Sequence, residues 1–327
     1  MDGGLFPAAT VNVGNSSGPL WQDALGVPRD TWFDLASLTK PIATASIVMR
    51  LLTEHRVSLD DAVASEFKEW TGDDRAVVTV RDLLEHSSGL AARLLDPAPS
   101  GRREFEHEIC GMPLEYTPRT RAIYSDLGFI LLGFLAEDRG AASLDTQFAS
   151  LIADITADLM FTPPHDLRAR MAPTTALSED VRRGETLVGV VHDNYAAALA
   201  GVAGHAGLFG TADAVASFAR VVLRAARGDD RVPAPFTPSL MRLFTTRSRV
   251  PGSSRALAWD TMLPTSSCGT RMSASAFGHV GYTGTSLWID PERDRYVVLL
   301  TNRARGEGSL EDMRTVRRAF HDALAEL

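Results

Sequence analysis

The sequence predicts an α+β fold within the α/β class: an antiparallel sheet flanked by helices, with an all-helical domain inserted into it. Three observations predict this. Strand signals lie at both chain ends, the middle of the chain is mainly helical, and the N-terminal strand pair is too short to form a stable sheet alone. One sheet drawn from both termini satisfies all three. It places a sheet domain at residues 1–49 plus 190–327 and a helical insertion at 50–189.

The elements follow in order. "AATVNVG" (8–14) and "PLWQDALG" (19–26) flank the turn-rich "NSSG" and read as a hairpin. "PIATASIVMRLL" is apolar on nearly every face, which predicts a central, buried helix. Helical signals continue in "TVRDLLEHSSGL", in "DLGFILLGFLAEDRG" with Gly140 as C-cap, and in "SLDTQFASLIADITADLM". Late in the chain, "TSLWIDPERDRYVVLLTNR" is two β-rich runs around an acidic, proline-containing turn, followed by the amphipathic helix "SLEDMRTVRRAFHDALAEL". There is no internal repeat and no low-complexity linker.

Composition narrows the function. With 45% apolar and 23% charged residues the chain reads as an ordinary globular protein rather than a disordered or fibrous one. It has no apolar run of about 18 residues, so no membrane span is expected. "MDGGLFPAAT" lacks a basic region and an apolar signal core, which predicts a cytoplasmic protein; a truncated start would leave export open. A net charge of -8 without clustered basic residues argues against a nucleic-acid partner. Cys110 and Cys268 are isolated and read as buried apolar side chains, not a disulfide framework or a zinc site.

Of 33 basic residues only Lys40 and Lys68 are lysine. A position needing an amine that can lose its proton cannot accept arginine. In "FDLASLTKP", Ser37 and Lys40 would share one face of a helical turn, with Cβ atoms about 5–6 Å apart, close enough to exchange a proton. Pro41 suits a first turn. A serine at a helix start also meets the N–H groups and dipole that favour an oxyanion. The same spacing recurs at Ser65 and Lys68, where Glu66 and Glu69 would keep the lysine charged and solvated. Around Lys40 the neighbours are apolar, and burial is expected to lower its pKa and make the amine a base. The alternative is an N-cap serine beside a surface lysine.

Two further stretches bear on that choice: "YSDLGFILLG" (124–133), with Tyr124 just before a helix, and "FGHVGYTGTSLWIDP" (277–291), with a histidine and glycines at the start of a strand. In order and spacing, the three segments resemble the serine β-lactamase and penicillin-binding-protein superfamily, which includes family VIII-type esterases. "SLTK" stands as the first motif, "YSD" as the second, usually YxN, and "HVG" as the third, usually K/HTG. "VTVRDLLEHSSGL" and "GVAGHAGLFGTADAVASFA" resemble the family's motifs outside the active site, and the likeness runs from about residue 8 to 327.

The resemblance implies that Ser37 is the nucleophile, Lys40 the base or proton relay, and Tyr124 the general acid or base serving the leaving group. It implies an oxyanion hole from the backbone N–H groups of Ser37 and Tyr282, beside Gly281, and neither cofactor nor metal. His279 is either a donor to substrate or a satisfied structural residue. Metal binding by His192, Asp193 and His205 is set aside, because no third ligand is apparent beside the histidines and the family needs none. Glycines 201, 204, 207 and 210 are assigned to tight turns. Asp126 replaces the usual asparagine and Val280 the usual threonine, so a substrate carboxylate is expected to find few donors and a repelling charge. The expected partner is a small ester, amide or lactam. The expected function is a serine hydrolase working through an acyl-enzyme, esterase-like first, with β-lactamase or D-amino-acid peptidase as the alternative and a non-catalytic binding protein as the alternative of another class.

Overall fold

A computed structural model describes residues 4–94 and 97–324. Its strands are β1 (Ala9–Asn15), β2 (Gly18–Leu25), β3 (Phe33–Asp34), β4 (Leu159–Phe161), β5 (Thr174–Thr175), β6 (Thr186–Leu187), β7 (Leu208–Gly210), β8 (Asp260–Thr261), β9 (Phe277–Val280), β10 (Ser286–Asp290) and β11 (Arg295–Thr301). Six of them form an antiparallel sheet in the order β2-β1-β11-β10-β9-β8. The chain ends meet in its middle, where β1 pairs β11 with Ala9 opposite Thr301 and Val13 opposite Val297.

The two faces of this sheet follow from the period of two along each strand. Val13 and Val297 cluster with Phe320 and Leu324 of the C-terminal helical segment, and Trp21 meets Phe320 at 6.4 Å between ring centroids. Val298 and Leu300 point the other way, into the main core shared with the helix Ala212–Ala226. Between residues 50 and 189 lie the helices Arg102–Gly111, Asp126–Gly140 and Leu144–Ile152 together with shorter elements. Residues 127–136 are buried throughout, as a helix without a polar face must be. We propose that residues 50–189 are the insertion, since every strand of the large sheet lies outside that interval. No helix among the described residues is long and apolar enough to cross a membrane. Cys110 and Cys268 are buried free thiols.

Three sequence expectations are corrected. The helix read over "SLDTQFASLIADITADLM" stops at Ile152, and Leu159–Phe161 is instead β4, paired to β7. Its apolar run is short enough for either element, and the β7 partner decides. The insertion expected to be all-helical also holds the β5–β6 strand pair, after a 3₁₀ turn at His165–Arg170. Finally, "HVG" closes β9 and enters the turn to β10 instead of opening a strand, a four-residue element too brief to announce itself.

Candidate active site

Ser37 stands on a kinked turn that its neighbours hold in place. Ala36 has φ +48, in the left-handed region costly for a residue with a Cβ. Its N–H donates to Asp34 Oδ1 at 2.8 Å, and its carbonyl accepts from Thr39 Oγ1 at 2.6 Å. The 3₁₀ turn Ala36–Leu38 runs into a π-helical turn, Lys40–Thr44, in which the Ala45 N–H reaches the Lys40 carbonyl. Pro41, lacking an N–H, opens this wide turn. Lys40 is 0% exposed, and its Nζ lies 3.0 Å from Ser37 Oγ. The spacing therefore produces the expected contact on 3₁₀ and π turns instead of an α-helix. Ser65 and Lys68 are exposed, and Ser65 Oγ turns to the Ala62 carbonyl.

Tyr124 is presented by a clamp that sequence reasoning noted only as a family-like stretch. The Ser125 N–H donates to His86 Nδ1 at 3.0 Å, Ser125 Oγ to the Ala91 carbonyl at 2.6 Å, and the Asp126 N–H to the Ala92 carbonyl at 2.9 Å. The His86 ring lies 4.7 Å from that of Tyr124, between centroids. Burial, reinforced by Arg255, keeps His86 uncharged. The Tyr124 hydroxyl is buried and makes no hydrogen bond of good geometry among the described residues, yet the Lys40 charge and the Lys40 and Ser37 polar groups lie close enough to favour its phenolate. Burial outweighs them and raises its pKa, so the resting group is the phenol.

The third segment packs directly on the first. Thr283 Oγ1 donates to the Asp34 carbonyl at 2.7 Å and Thr285 Oγ1 to the Leu35 carbonyl at 2.9 Å. Only glycine fits at 281, where a Cβ would stand 2.7 Å from the Leu35 carbonyl and 3.2 Å from Ala36 Cβ. Tyr282 is 40% exposed, stacked on His192 at 5.3 Å with the Arg303 guanidinium 4.4 Å from its ring. Of the two readings left open for His279, the structure shows its Nδ1 turned to the Val280 carbonyl at 2.9 Å, while its Nε2 is buried with no hydrogen-bond partner among the described residues. Burial, with Arg255 and Lys40, holds its pKa far below the ordinary range, so it stays neutral.

Lys40 and Asp126 also differ from expectation. Burial does oppose the ammonium, but the Asp126 carboxylate and Tyr124 outweigh it, and the Lys40 pKa is raised. Asp126 Oδ1 accepts from Nζ at 2.7 Å and Oδ2 from Arg93 at 3.0 Å. Against burial, Lys40, His205 and Arg93 keep this carboxylate ionised. Its charge is thus matched by two cations, which removes the expected repulsion of an anionic substrate. Apolar sequence neighbours say nothing of a partner 86 positions away. Asp193 is likewise engaged, in an ion pair with Arg93 and in a hydrogen bond with His205 Nε2.

Ser37, Tyr124, Asp126, His279, Gly281 and Tyr282 all line one cavity of about 410 Å³, with Lys40 beneath its floor. Arg255 and Arg317 line it too, and neither was singled out in the sequence. Arg255 lies 5.0 Å from the Tyr124 ring and has no ion pair among the described residues. The expectation of few donors for a substrate carboxylate is corrected accordingly. In an arginine-rich chain nothing marked this one before folding.

A serine hydroxyl bonded to a buried lysine at a cavity floor, on a sheet-and-helix scaffold, defines the class of serine hydrolases that set a lysine beside the nucleophile. Residues 6–321 match the β-lactamase family. A putative D-alanyl-D-alanine carboxypeptidase of Escherichia coli K12 is 31% identical over 317 residues, covering 87% of this chain and 72% of that one. Of solved structures, EstCE1, a hydrolase with promiscuous acyltransferase activity, aligns with a TM-score of 0.77 at 19% identity over 99% of this chain and 95% of that one. A penicillin-binding-protein homologue from Caulobacter crescentus gives a TM-score of 0.74 at 21% identity over 97% and 92%. The chain belongs to the β-lactamase family and is a serine hydrolase with that fold.

Proposed function

We propose that Ser37 carries the acyl group of a small ester or amide, with neutral esters cleaved fastest. The observation that supports it is the 3.0 Å contact between Ser37 Oγ and the enclosed Lys40, beside a buried phenol and under a cavity with Ala36, Ala92, Leu177 and Val280 in its walls. Lys40, once deprotonated, takes the hydroxyl proton as Oγ attacks the carbonyl. The N–H groups of Ser37 and Tyr282 face the developing oxyanion. Tyr124, a phenol at rest, gives its proton to the departing oxygen and recovers it from the water that hydrolyses the acyl-enzyme. An alkoxide asks less of this acid than an amine does, which favours esters.

The second reading, a peptidase or lactamase taking carboxylate-bearing substrates, is favoured by Arg255, a cavity cation with no ion pair among the described residues, and by the carboxypeptidase relative. Intact-mass measurement after exposure to an activated ester, a penicillin and a fluorophosphonate tests the acyl-enzyme, which requires a mass increase mapping to Ser37. Comparing kcat/KM for a neutral aryl ester and a chromogenic cephalosporin separates the readings. Preference for the cephalosporin overturns the first.

A further inference from the structure

Behind Lys40 the charged side chains close on themselves. An ammonium has three N–H donors, and Nζ has three acceptors: Ser37 Oγ at 3.0 Å, Asp126 Oδ1 at 2.7 Å and the His205 carbonyl at 3.0 Å. With its other oxygen Asp126 accepts from Arg93 Nη1, which also donates to Asp193 Oδ2, both at 3.0 Å. Asp193 Oδ1 meets His205 Nε2 at 2.8 Å, and His205 is the residue whose carbonyl holds Lys40. The path thus returns to its origin through five residues from four separate stretches of chain. Arg93 is fixed further by Asn194 Oδ1 at 2.6 Å and by the Tyr195 ring, 4.0 Å from its Cζ. Asp193 is also the N-cap of the helix Asn194–Ala198, accepting the Ala196 N–H at 2.8 Å.

We propose that Arg93 and Asp193 are positioning residues of the active site, which act through Asp126 to set the pH at which Lys40 releases its proton to water and becomes the base for Ser37. This rests on Lys40 being that base. The resting contacts are those of an ammonium, which cannot accept a proton, so the enzyme turns on only as that proton leaves. The other groups facing Lys40 do not replace the circuit: Tyr124 is a phenol, Phe129 is apolar, and His86 and His279 are neutral. Arg255, over the Tyr124 ring, adds a cation that disfavours the ammonium without touching it. Asp126 favours the ammonium, and Arg93 tempers Asp126 by sharing its charge.

Opposite signs are the test. The rate of Ser37 acylation by a neutral activated ester is followed against pH in the full chain, with thermal melts confirming that each variant folds. Asp126→Asn is nearly isosteric and removes the counter-ion, so the acidic limb is expected to move down by about one pH unit or more. Asp193→Asn moves it down less. Arg93→Met leaves both carboxylates without their shared cation and moves it up, and Arg93→Lys restores it toward wild type. A limb that Asp126→Asn leaves in place, or that Arg93→Met and Asp126→Asn shift in the same direction, overturns the proposal. If Arg93→Met does not fold, Asp126→Asn against Asp193→Asn still decides. A wild type in which Ser37 is never acylated refutes the proposed function instead, whereas an acylated wild type with an unmoved limb refutes only this circuit.

Discussion

At the scale of single residues, the two SxxK pairs behave as an internal control. Ser37 has a buried lysine at 3.0 Å, while Ser65 is exposed and bonded to backbone. A fluorophosphonate is therefore expected to label Ser37 alone, and peptide mapping that finds Ser65 would refute the assignment. Lys40→Arg keeps the charge but places in the pocket a guanidinium that does not deprotonate near neutral pH, so acylation is expected to vanish while Lys68→Arg is silent. Equal activity in both would leave Lys40 a structural role only. Tyr124→Phe removes the buried phenol's proton and is expected to slow turnover by about 10² to 10⁴. A loss under about threefold would exclude it as the positioned acid.

At the scale of elements, the site depends on backbones approaching closely. Gly204 lies against the helix Asp126–Gly140, where a Cβ would collide with the Phe129 carbonyl and stand 2.8 Å from the Gly133 nitrogen. The contact is packing rather than the tight turn expected from sequence, and it delivers the His205 carbonyl to Lys40. Gly204→Ala is expected to cost about 1–3 kcal/mol in urea denaturation and to slow acylation, because backbone cannot step aside as a side chain can. Gly111, at a helix end with open space around its Cβ position, is the control, and Gly111→Ala is expected to be neutral or slightly stabilising. Equal stability in the two variants would show that the loop tolerates displacement.

For the whole molecule, the buried histidines set the pH dependence of stability. His86, His279 and His321 are 1%, 2% and 3% exposed, and burial depresses all three pKa values. Below about pH 6.5 the unfolded chain binds protons that the folded one refuses, so each contributes a loss of about 1.4 kcal/mol per pH unit as acid is added. Asp34 works in the opposite sense. Buried, and only partly offset by the amides of His192 and Ala36, its carboxyl is raised to about 6. Between the unfolded carboxylate value near 3.9 and that point the folded state binds the extra proton, which offsets about one histidine. Stability from urea melts is expected to fall on acidification from pH 7 to 5, with a slope approaching about two protons near pH 5. A flat profile would mean that these histidines open to solvent.

The sequence by itself determined the hairpin at one end, the strand pair and amphipathic helix at the other, the buried central helix, and the nearness of Ser37 to Lys40. Each is local: a period of two, an apolar run, a turn signal or a three-residue spacing survives in any window long enough to hold it. Ser37, Tyr124 and the "HVG" segment were legible together only through family resemblance, because no local rule brings residues 37, 124 and 279 to one cavity. Only the tertiary structure decided the charges. Lys40 looked like an amine stripped of partners, and folding set beside it an aspartate from position 126, itself held by Arg93, and a carbonyl from 205. Arg255 was one arginine among many until folding placed it in the cavity wall over the Tyr124 ring. Electrostatic environment depends on distance in space, and a linear pattern of apolar neighbours carries no information about which distant charge the fold will deliver.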